Sequence, residues 1–419
     1  MINNDFCILI HYRNPFIVDA GTEKYIKTQI QTFEEKDIDS FVLFPVTKKA
    51  GVRIYGWGVA LNRNFAGVWS EKKVIRYINS LMEKYSCQGV FVHHLQWSNL
   101  SSLSRIFSFT EDMIFYIHDY YSCCMQGNFL KNDECLCGKK VDSRNCEGCC
   151  YYTLSKKELE KIKKFLNGFR NLKIIAPSEV AKSVWSLTYP EYKERIVVIE
   201  HLKIEKVKNN LVGKKNTKDK VINVAFVGRG AHNKGWDEWK KAVTSLNKEV
   251  LSKYKFYHLG STNERLENVE QFNVSMSQDG GTTMIKMLQK YDVDIAVLYS
   301  IWPETYSYTF FEVLEAGCYV ITSRESGNIA EQIKEYQNGI IVNNDTESFA
   351  DILKDYNRLS DALNSYNAKK KFTYVTKHNE AYFSFLKGTS NLITIKAKPT
   401  FGCAIADILY KLRYRKELN

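Results

Sequence analysis

Four sets of residues in this 419-residue chain carry chemistry by type and spacing. Glu304 and Glu312 are carboxylates eight positions apart. The apolar run from Asp294 to Tyr299 reads as a buried strand ending just before Glu304, and Phe311, Val313, Leu314 and Ala316 place Glu312 in a following helix. Open α/β sheets bind ligands at that carboxyl edge, and carboxylates there accept hydrogen bonds from the hydroxyls of a ribose or hexose. For one Glu alone, an acidic helical turn answering the helix dipole is the more ordinary reading; the spacing of the pair and the residues downstream of it reverse that preference. A second set is Gly228-Arg229-Gly230-Ala231-His232-Asn233-Lys234-Gly235, after the strand-like run Val221 to Val227. Its glycines permit a tight strand-to-helix turn, and Arg229 and Lys234 supply charge for a diphosphate at a helix amino terminus. It is neither a Walker loop nor GxGxxG. A third set is histidine at strand ends: His118, followed by Asp119, Tyr120 and Tyr121, with His94 as a second-sphere candidate. A lone His in such a place is more often a satisfied core residue than a catalyst. The fourth set is cysteine. Seven of the eleven fall between Cys123 and Cys150, where the Cys146-x2-Cys149 pair has metal-knuckle spacing and Cys124 with Cys137 could complete a structural four-thiolate zinc site. Free thiols on a loop are the alternative.

The run Glu304-x7-Glu312, then Glu315-Ala316-Gly317-Cys318-Tyr319-Val320-Ile321, Gly327, Glu331 and Asn338-Gly339, resembles the nucleotide-sugar half of retaining GT-B glycosyltransferases of family 4. The Arg229 to Lys234-Gly235 spacing matches that family's GR-x4-KG pattern. The resemblance implies that Glu304 holds donor-sugar hydroxyls, Glu312 the ribose, and Arg229 and Lys234 the donor phosphates, with Gly228 at the turn. It further implies that His118 faces the donor sugar, and that the Ala20-Gly21 turn matches the family's first glycine-rich loop, with Gly21 approaching the ligand. Family members with a His-Asp-Tyr-aromatic motif carry a similar cysteine spacing, which selects Cys124, Cys137, Cys146 and Cys149 and leaves Cys123, Cys135 and Cys150 spare. Retention at the anomeric carbon and catalysis without a metal are also implied by the resemblance. No function is carried onto Glu200-His201, where the family pattern differs.

Composition bounds the rest. The length suits roughly two to three domains, and hydrophobic residues at 44% with aromatics at 13% describe a folded globular chain. No apolar run approaches the roughly 18 residues of a membrane span, and the apolar core near the amino terminus is too short for a signal peptide. A cytoplasmic protein is expected, with peripheral contact to the inner membrane face as one option. The net charge of +12 favours an anionic partner: a nucleotide diphosphate, an anionic membrane surface or a nucleic acid. Nucleic acid is not expected, because no exposed aromatic reading motif is evident.

Elements recurring as strand, helix, strand imply doubly wound parallel sheets. Phe6–Ile10, Phe41–Pro45, Gly89–His94, Met113–Ile117, Leu172–Ser178 and Ile196–His201 read as strands of a first α/β domain spanning 1–202, with the cysteine-rich insertion at 123–150. Helices are expected near Tyr25 to Phe33, Glu71 to Tyr85 and Lys156 to Phe169; the last is basic and reads equally as a bilayer-surface helix or an ordinary amphipathic one. Lys203 to Lys220, with seven lysines, three asparagines and one glycine, reads as a linker. A second Rossmann-like domain follows at 221–375, with a Gly280-Gly281-Thr282-Thr283 helix cap, a helix from Met284 to Tyr291 and a strand at Gly339–Val342. Asp292-x-Asp294 matches a metal-binding DxD but falls between a helix and a buried strand, so that reading is rejected. Helices at 376–419, the first crossing back to the first domain, complete the chain, and the tail from Phe401 shows cations but no long apolar face.

The expected fold is α/β, of the GT-B kind, with two Rossmann-like domains facing a central cleft. The expected activity is transfer of a sugar from a nucleotide diphosphate sugar to a glycan or lipid-linked glycan acceptor, with retention, no cofactor for catalysis and a structural zinc. The rivals are a catalytically silent GT-B-like partner subunit and a zinc-bearing nucleic-acid-binding protein. Alanine at Glu304 or Lys234 is expected to cut turnover while leaving the melting temperature nearly unchanged.

Overall fold

The computed structural model describes all residues except 1, 3, 48–53, 209–219, 275–282, 371, 394–401 and 419. The first domain opens with strand β1 (Phe6–Ile10), helix α1 (Gly21–Glu34) and β2 (Asp39–Thr47), followed by the hairpin β3 (Ile54–Leu61) and β4 (Asn64–Trp69). Then come α2 (Glu71–Met82), β5 (Cys87–Val92), α3 (Leu100–Ile106), β6 (Asp112–Tyr116) and a small hairpin, β7 (Leu130–Lys131) and β8 (Cys135–Leu136), inside the cysteine-rich insertion. The domain closes with α4 (Tyr152–Leu166), β9 (Asn171–Ala176), α5 (Glu179–Ser186) and β10 (Ile196–Val198). Its sheet has the order β10-β9-β6-β5-β1-β2-β3-β4. All neighbours pair in parallel except β2 with β3 and β3 with β4. Alternating apolar residues feed both faces: Ile8 and Ile10 enter one core, Cys7 and Leu9 the other.

Strand β11 (Leu202–Lys208) leaves this domain, and the second one follows as β12 (Ile222–Val227), α6 (Trp236–Thr244), α7 (Lys248–Leu251), β13 (Tyr254–Leu259), β14 (Val269–Phe272) and α8 (Thr283–Lys290). It continues through β15 (Ile295–Val297), α9 (Tyr308–Ala316), β16 (Tyr319–Ser323), α10 (Asn328–Tyr336), β17 (Gly339–Val342), α11 (Thr346–Lys354) and α12 (Tyr356–Lys369). Its sheet, β14-β13-β12-β15-β16-β17, is wholly parallel. Val224 and Phe226 pack on one face, Ala225 and Val227 on the other. Helices on both faces of each parallel sheet give the doubly wound architecture, and both sheets present their carboxyl edges to the space between the domains.

The connections differ from the sequence reading in instructive ways. The segment expected to be a linker begins as a strand: β11 pairs antiparallel with β18 (Phe372–His378) along its whole length. The remainder of that segment, 209–219, lies outside the described residues, as does most of the Gly280 to Thr283 cap. The return crossing is therefore a strand and not a helix at its start. A short 3-10 turn, Ala381–Phe385, then seats Tyr382 at 0% exposure beneath the first sheet against Phe33 and Phe91. The β3–β4 hairpin was not legible as such, although Asn62 and Arg63 form its turn with Asn62 at φ 53°. The chain ends in α13 (Cys403–Arg413) and α14 (Arg415–Leu418), with α13 lying against β4. In the basic helix α4 the apolar residues Ile162, Phe165 and Leu166 are buried in the core, so it is an ordinary surface helix.

Candidate functional site

The carboxyl ends of β12 and β15 build one half of the site. After β15, residues 298–307 form a loop that is pinned at several points. Ser323 donates its hydroxyl to the Ser300 carbonyl at 2.6 Å, and Asn328 N–H donates to the Glu304 carbonyl at 2.9 Å. Gly327 makes the close approach possible. It has φ +61°, and a Cβ there would sit 2.5 Å from the Glu304 nitrogen. Glu304 is thereby held at 3% exposure. Its carboxylate receives the Ser300 hydroxyl and the Lys234 ammonium, each at 2.5 Å from Oε1.

Lys234 comes from the turn after β12. Gly228 stands there at φ +110° with open space where a side chain would be, and Gly235 at φ +77° with the Tyr299 carbonyl 2.1 Å from the position of a Cβ. Only glycine fits the second of these places, which lets this turn lie against the Glu304 loop. Ile301 N–H also donates to the Asn233 carbonyl at 3.3 Å. Arg229 is exposed on the same turn and makes no ion pair among the described residues. Lys234 and Glu304 are thus brought together, with Arg229 at the rim of the same turn.

Glu312 lies on α9, whose amino end is capped by Ser307 accepting from Phe310 N–H and whose carboxyl end is closed by Gly317 at φ 76°. Burial raises the Glu312 carboxyl above its ordinary value, and Lys24 from α1, 3.4 Å away, offsets part of that. Lys24 also lies over the Tyr308 ring, and Gly21 faces Tyr308 at 3.7 Å from where a Cβ would be. The first glycine turn of one domain therefore touches the Glu312 helix of the other.

His118 closes the opposite wall. Burial holds its pKa down at about 3, so the ring is neutral at neutral pH. Its Nε2 is 3.0 Å from Nδ1 of His93, which leaves Nδ1 of His118 as the nitrogen able to meet a ligand. It stacks on Tyr116 and neighbours Tyr25 and His201. The Thr305 hydroxyl donates to the His118 carbonyl at 2.6 Å, and Ser178 donates to the Thr305 carbonyl at 2.8 Å, which fastens the Glu304 loop to the first domain. His94 accepts from Gln96 N–H through Nδ1 and donates from Nε2 to Asp119 at 2.9 Å.

Several groups escaped sequence reasoning. His11 donates from Nε2 to Glu23 at 3.0 Å, and Arg13 donates to the same oxygen at 2.6 Å. Burial lowers His11 to about 4; it also opposes charge on Glu23, yet the bonds from His11 and Arg13 hold that carboxyl at about 2. His201, to which no role was given, packs between Tyr25, Tyr306 and Tyr308. Strand-end position was the available signal for these residues, and their convergence from distant parts of the chain was not. Asp294, by contrast, accepts from Asn223 N–H at 3.1 Å at the amino end of β15, away from the cleft edge.

The cysteine-rich insertion adjoins this site. The Glu134 carbonyl accepts from His232 Nε2 at 2.6 Å, and Lys139 pairs with Glu325 at 2.7 Å. Burial raises the Cys124 thiol, with Cys146 and Cys149 among the charges that raise it further, and Cys137 responds to Cys124, Cys146 and Cys149 in the same way. Cys123 is buried beside Cys124, and Cys135 and Cys150 are exposed. Among the described residues no three His, Cys, Asp or Glu side chains stand in metal-ligating geometry.

Residues 207–372 match the family model of glycosyl transferases group 1. The match covers the second lobe. The matched region holds Arg229, Lys234 and Glu304 at one sheet edge and Glu312 on the helix that follows. Comparison with curated proteins gives no match. Among solved structures, sucrose-phosphate synthase from Thermosynechococcus elongatus is similar at TM-score 0.53 and 11% identity, covering 99% of both chains. Anabaena Alr3699/HepE, in complex with UDP-glucose, is similar at TM-score 0.51 and 13% identity over 88% of this chain and 95% of that one. WaaG, a glycosyltransferase involved in lipopolysaccharide biosynthesis, is similar at TM-score 0.51 and 10% identity over 87% and 95%. These likenesses are of fold, and the fold is GT-B.

Proposed function

We propose that the chain transfers a sugar from a nucleoside diphosphate sugar to a glycan or lipid-linked glycan acceptor, with retention at the anomeric carbon. The observation that carries this reading is the Lys234–Glu304 pair at the carboxyl edge of the group 1 domain. A buried carboxylate without a partner is costly, so before donor binds Lys234 holds the charge of Glu304. The donor exchanges both partners: its diphosphate takes Lys234 and the exposed Arg229, and a sugar hydroxyl takes Glu304. As the glycosidic bond breaks, negative charge grows on the leaving phosphate, and two preplaced cations stabilise it. Gly228 leaves the turn open for the phosphates, and Gly21, packed against Tyr308, brings the facing helix close to the donor. Glu312, next to Lys24, receives the ribose hydroxyls. His118, neutral and pinned by His93, offers a ring nitrogen to the donor sugar. The acceptor hydroxyl then gives its proton to the leaving phosphate oxygen on the same face, a route that needs no opposed carboxylate pair and no metal. The donor complex of Alr3699/HepE supports a nucleotide sugar as the class of donor, and the retained cations and carboxylates speak against a silent partner subunit.

The insertion is read as a zinc staple on Cys124, Cys137, Cys146 and Cys149. The choice of these four over Cys123, Cys135 and Cys150 rests on their spacing; Cys124, Cys137, Cys146 and Cys149 lie near one another but not in ligating geometry among the described residues, so an ion would have to draw them together. Four thiolates leave no open position, so the ion would supply rigidity and no catalysis. The donor reading is tested by thermal shift with UDP, GDP, dTDP and ADP, against free phosphate. A ligand that binds only the folded state raises its melting temperature. One nucleotide should shift the wild type, and Lys234→Ala should lose that shift. No shift from any of the four defeats the proposal.

A further inference from the structure

Helix α13 is amphipathic in the wrong direction for a helix that only covers the body. Cys403, Ala406, Asp407 and Tyr410 face inward. Asp407 accepts from Val68 N–H at 2.8 Å, Tyr410 stacks on Phe65 at 4.9 Å, and Ala406 joins the small core of Phe44, Val46 and Val68. Gly67 leaves room for the Asp407 carboxylate, which would lie 2.9 Å from a Cβ at that position. The helix is thus specifically docked on the edge hairpin of the first domain. Its other face carries Ile405, Ile408, Leu409 and Leu412, spaced three, one and three apart, between 59% and 66% exposed. Among the described residues these are the four most exposed large hydrophobic side chains.

A stripe of that kind needs a cover, and the charge around it says which. Lys411, Arg413, Arg415 and Lys416 surround its carboxyl end. The carboxylates of this segment are Asp407, which accepts from Val68 N–H and pairs with Lys411 at 2.8 Å, and Glu417, so Arg413, Arg415 and Lys416 carry the excess charge. A recess of about 460 Å³ beside the stripe is lined by Phe65, Lys411, Leu412, Arg415 and Leu418; with Lys411 paired to Asp407, Arg415 is the cation it offers a phosphate headgroup beside apolar side chains that suit an acyl chain. A second copy of this helix would bring the same cations and no complementary acids. No helix among the described residues is long and apolar enough to cross a membrane, and α13 has eleven residues. We infer that α13 lies in the interface of an anionic lipid bilayer, its apolar stripe sunk among acyl chains and its basic end on the phosphates. The inference stands apart from the donor-site reading, because it is read without donor or acceptor.

The test spins the full chain with sucrose-loaded vesicles of phosphatidylcholine alone and of phosphatidylcholine with phosphatidylglycerol. The wild type should pellet with the mixed vesicles and far less with the neutral ones. Ile408→Glu with Leu412→Glu should weaken that binding by about tenfold or more at an unchanged melting temperature, since both side chains face solvent. Arg415→Glu with Lys416→Glu should weaken it in the mixed vesicles only, and salt should mimic that loss. Equal pelleting of the wild type and the Ile408, Leu412 variant overturns the inference. A wild type that ignores both vesicles but self-associates in light scattering, with the variant monomeric, also overturns it and assigns the stripe to a second copy.

Discussion

Glu304 is buried with its charge balanced by one ammonium and one hydroxyl. Sequence alone treats Glu304 and Lys234 as separate ligands, so alanine at either is expected to spare stability. Their pairing changes that expectation for Lys234. Lys234→Ala leaves a buried carboxylate supported by Ser300 only, and should cost on the order of 1 kcal/mol after allowing for the partial exposure of the lysine. Lys234→Ala with Glu304→Gln should regain most of that loss in thermal melts. On the proposed function, turnover should remain down by on the order of a hundredfold or more in both, because the cation assigned to the leaving phosphate is gone. Additive losses of stability in this cycle would show that the pair does not couple. Gly327 belongs to the same scale. Gly327→Ala forces a side chain into the Glu304 backbone at a left-handed φ, and should lower the melting temperature and weaken nucleotide binding together.

Among the elements, the insertion between β6 and α4 is the piece whose placement matters most for the site. Its cysteine spacing was visible in the chain, whereas its contact with the turn that carries Arg229 and Lys234 was not, since Glu134 and His232 are 98 positions apart. Burial opposes charge on His232, yet the Glu134 carbonyl and Asp237 raise its pKa overall. His232→Ala removes these bonds beside Lys234 and should weaken binding of the preferred nucleotide roughly three- to tenfold, as isothermal titration would read. An unchanged affinity would reduce the insertion to a neighbour of the site. The same scale shows where pattern reading succeeds. Parallel strands buried on both faces announce themselves as apolar runs, so β1, β5, β6, β12 and β15 were legible. Strands β11 and β18 were not, because each is half exposed, β11 also being lysine-rich, and only pairing with the other makes them strands.

At the scale of the whole molecule, histidines from five distant segments gather around Tyr25: His93, His118, His201 and His378 ring it, with His11 next to His94 close by. The unfolded chain binds protons near the ordinary histidine value of 6.5, whereas folded His11 and His118 hold out to about 4 and about 3. Between those limits the unfolded state carries more protons, so stability falls as pH is lowered through the window. Glu23, held at about 2, acts in the same direction at still lower pH. The melting temperature should therefore be nearly level from pH 8 to 7 and decline steadily from about pH 6.5 toward 4. A level or rising curve across that range would mean that the histidines are solvated.

What the sequence determined by itself is the part written in local order: two sets of buried parallel strands, the glycine turn with Arg229 and Lys234, the carboxylates at Glu304 and Glu312, and a histidine at the end of β6. Strand ends and helix starts are set by nearest neighbours in the chain, so pattern finds them. The tertiary structure decided which of these groups touch. It pairs Lys234 with Glu304, reaches Lys24 to Glu312 across the cleft, binds Thr305 to His118, and turns the stripe of α13 outward while that of α4 is buried. Which apolar stripe of a helix is covered cannot be known until the surface it packs against is known, because burial is a property of the neighbour as much as of the residue.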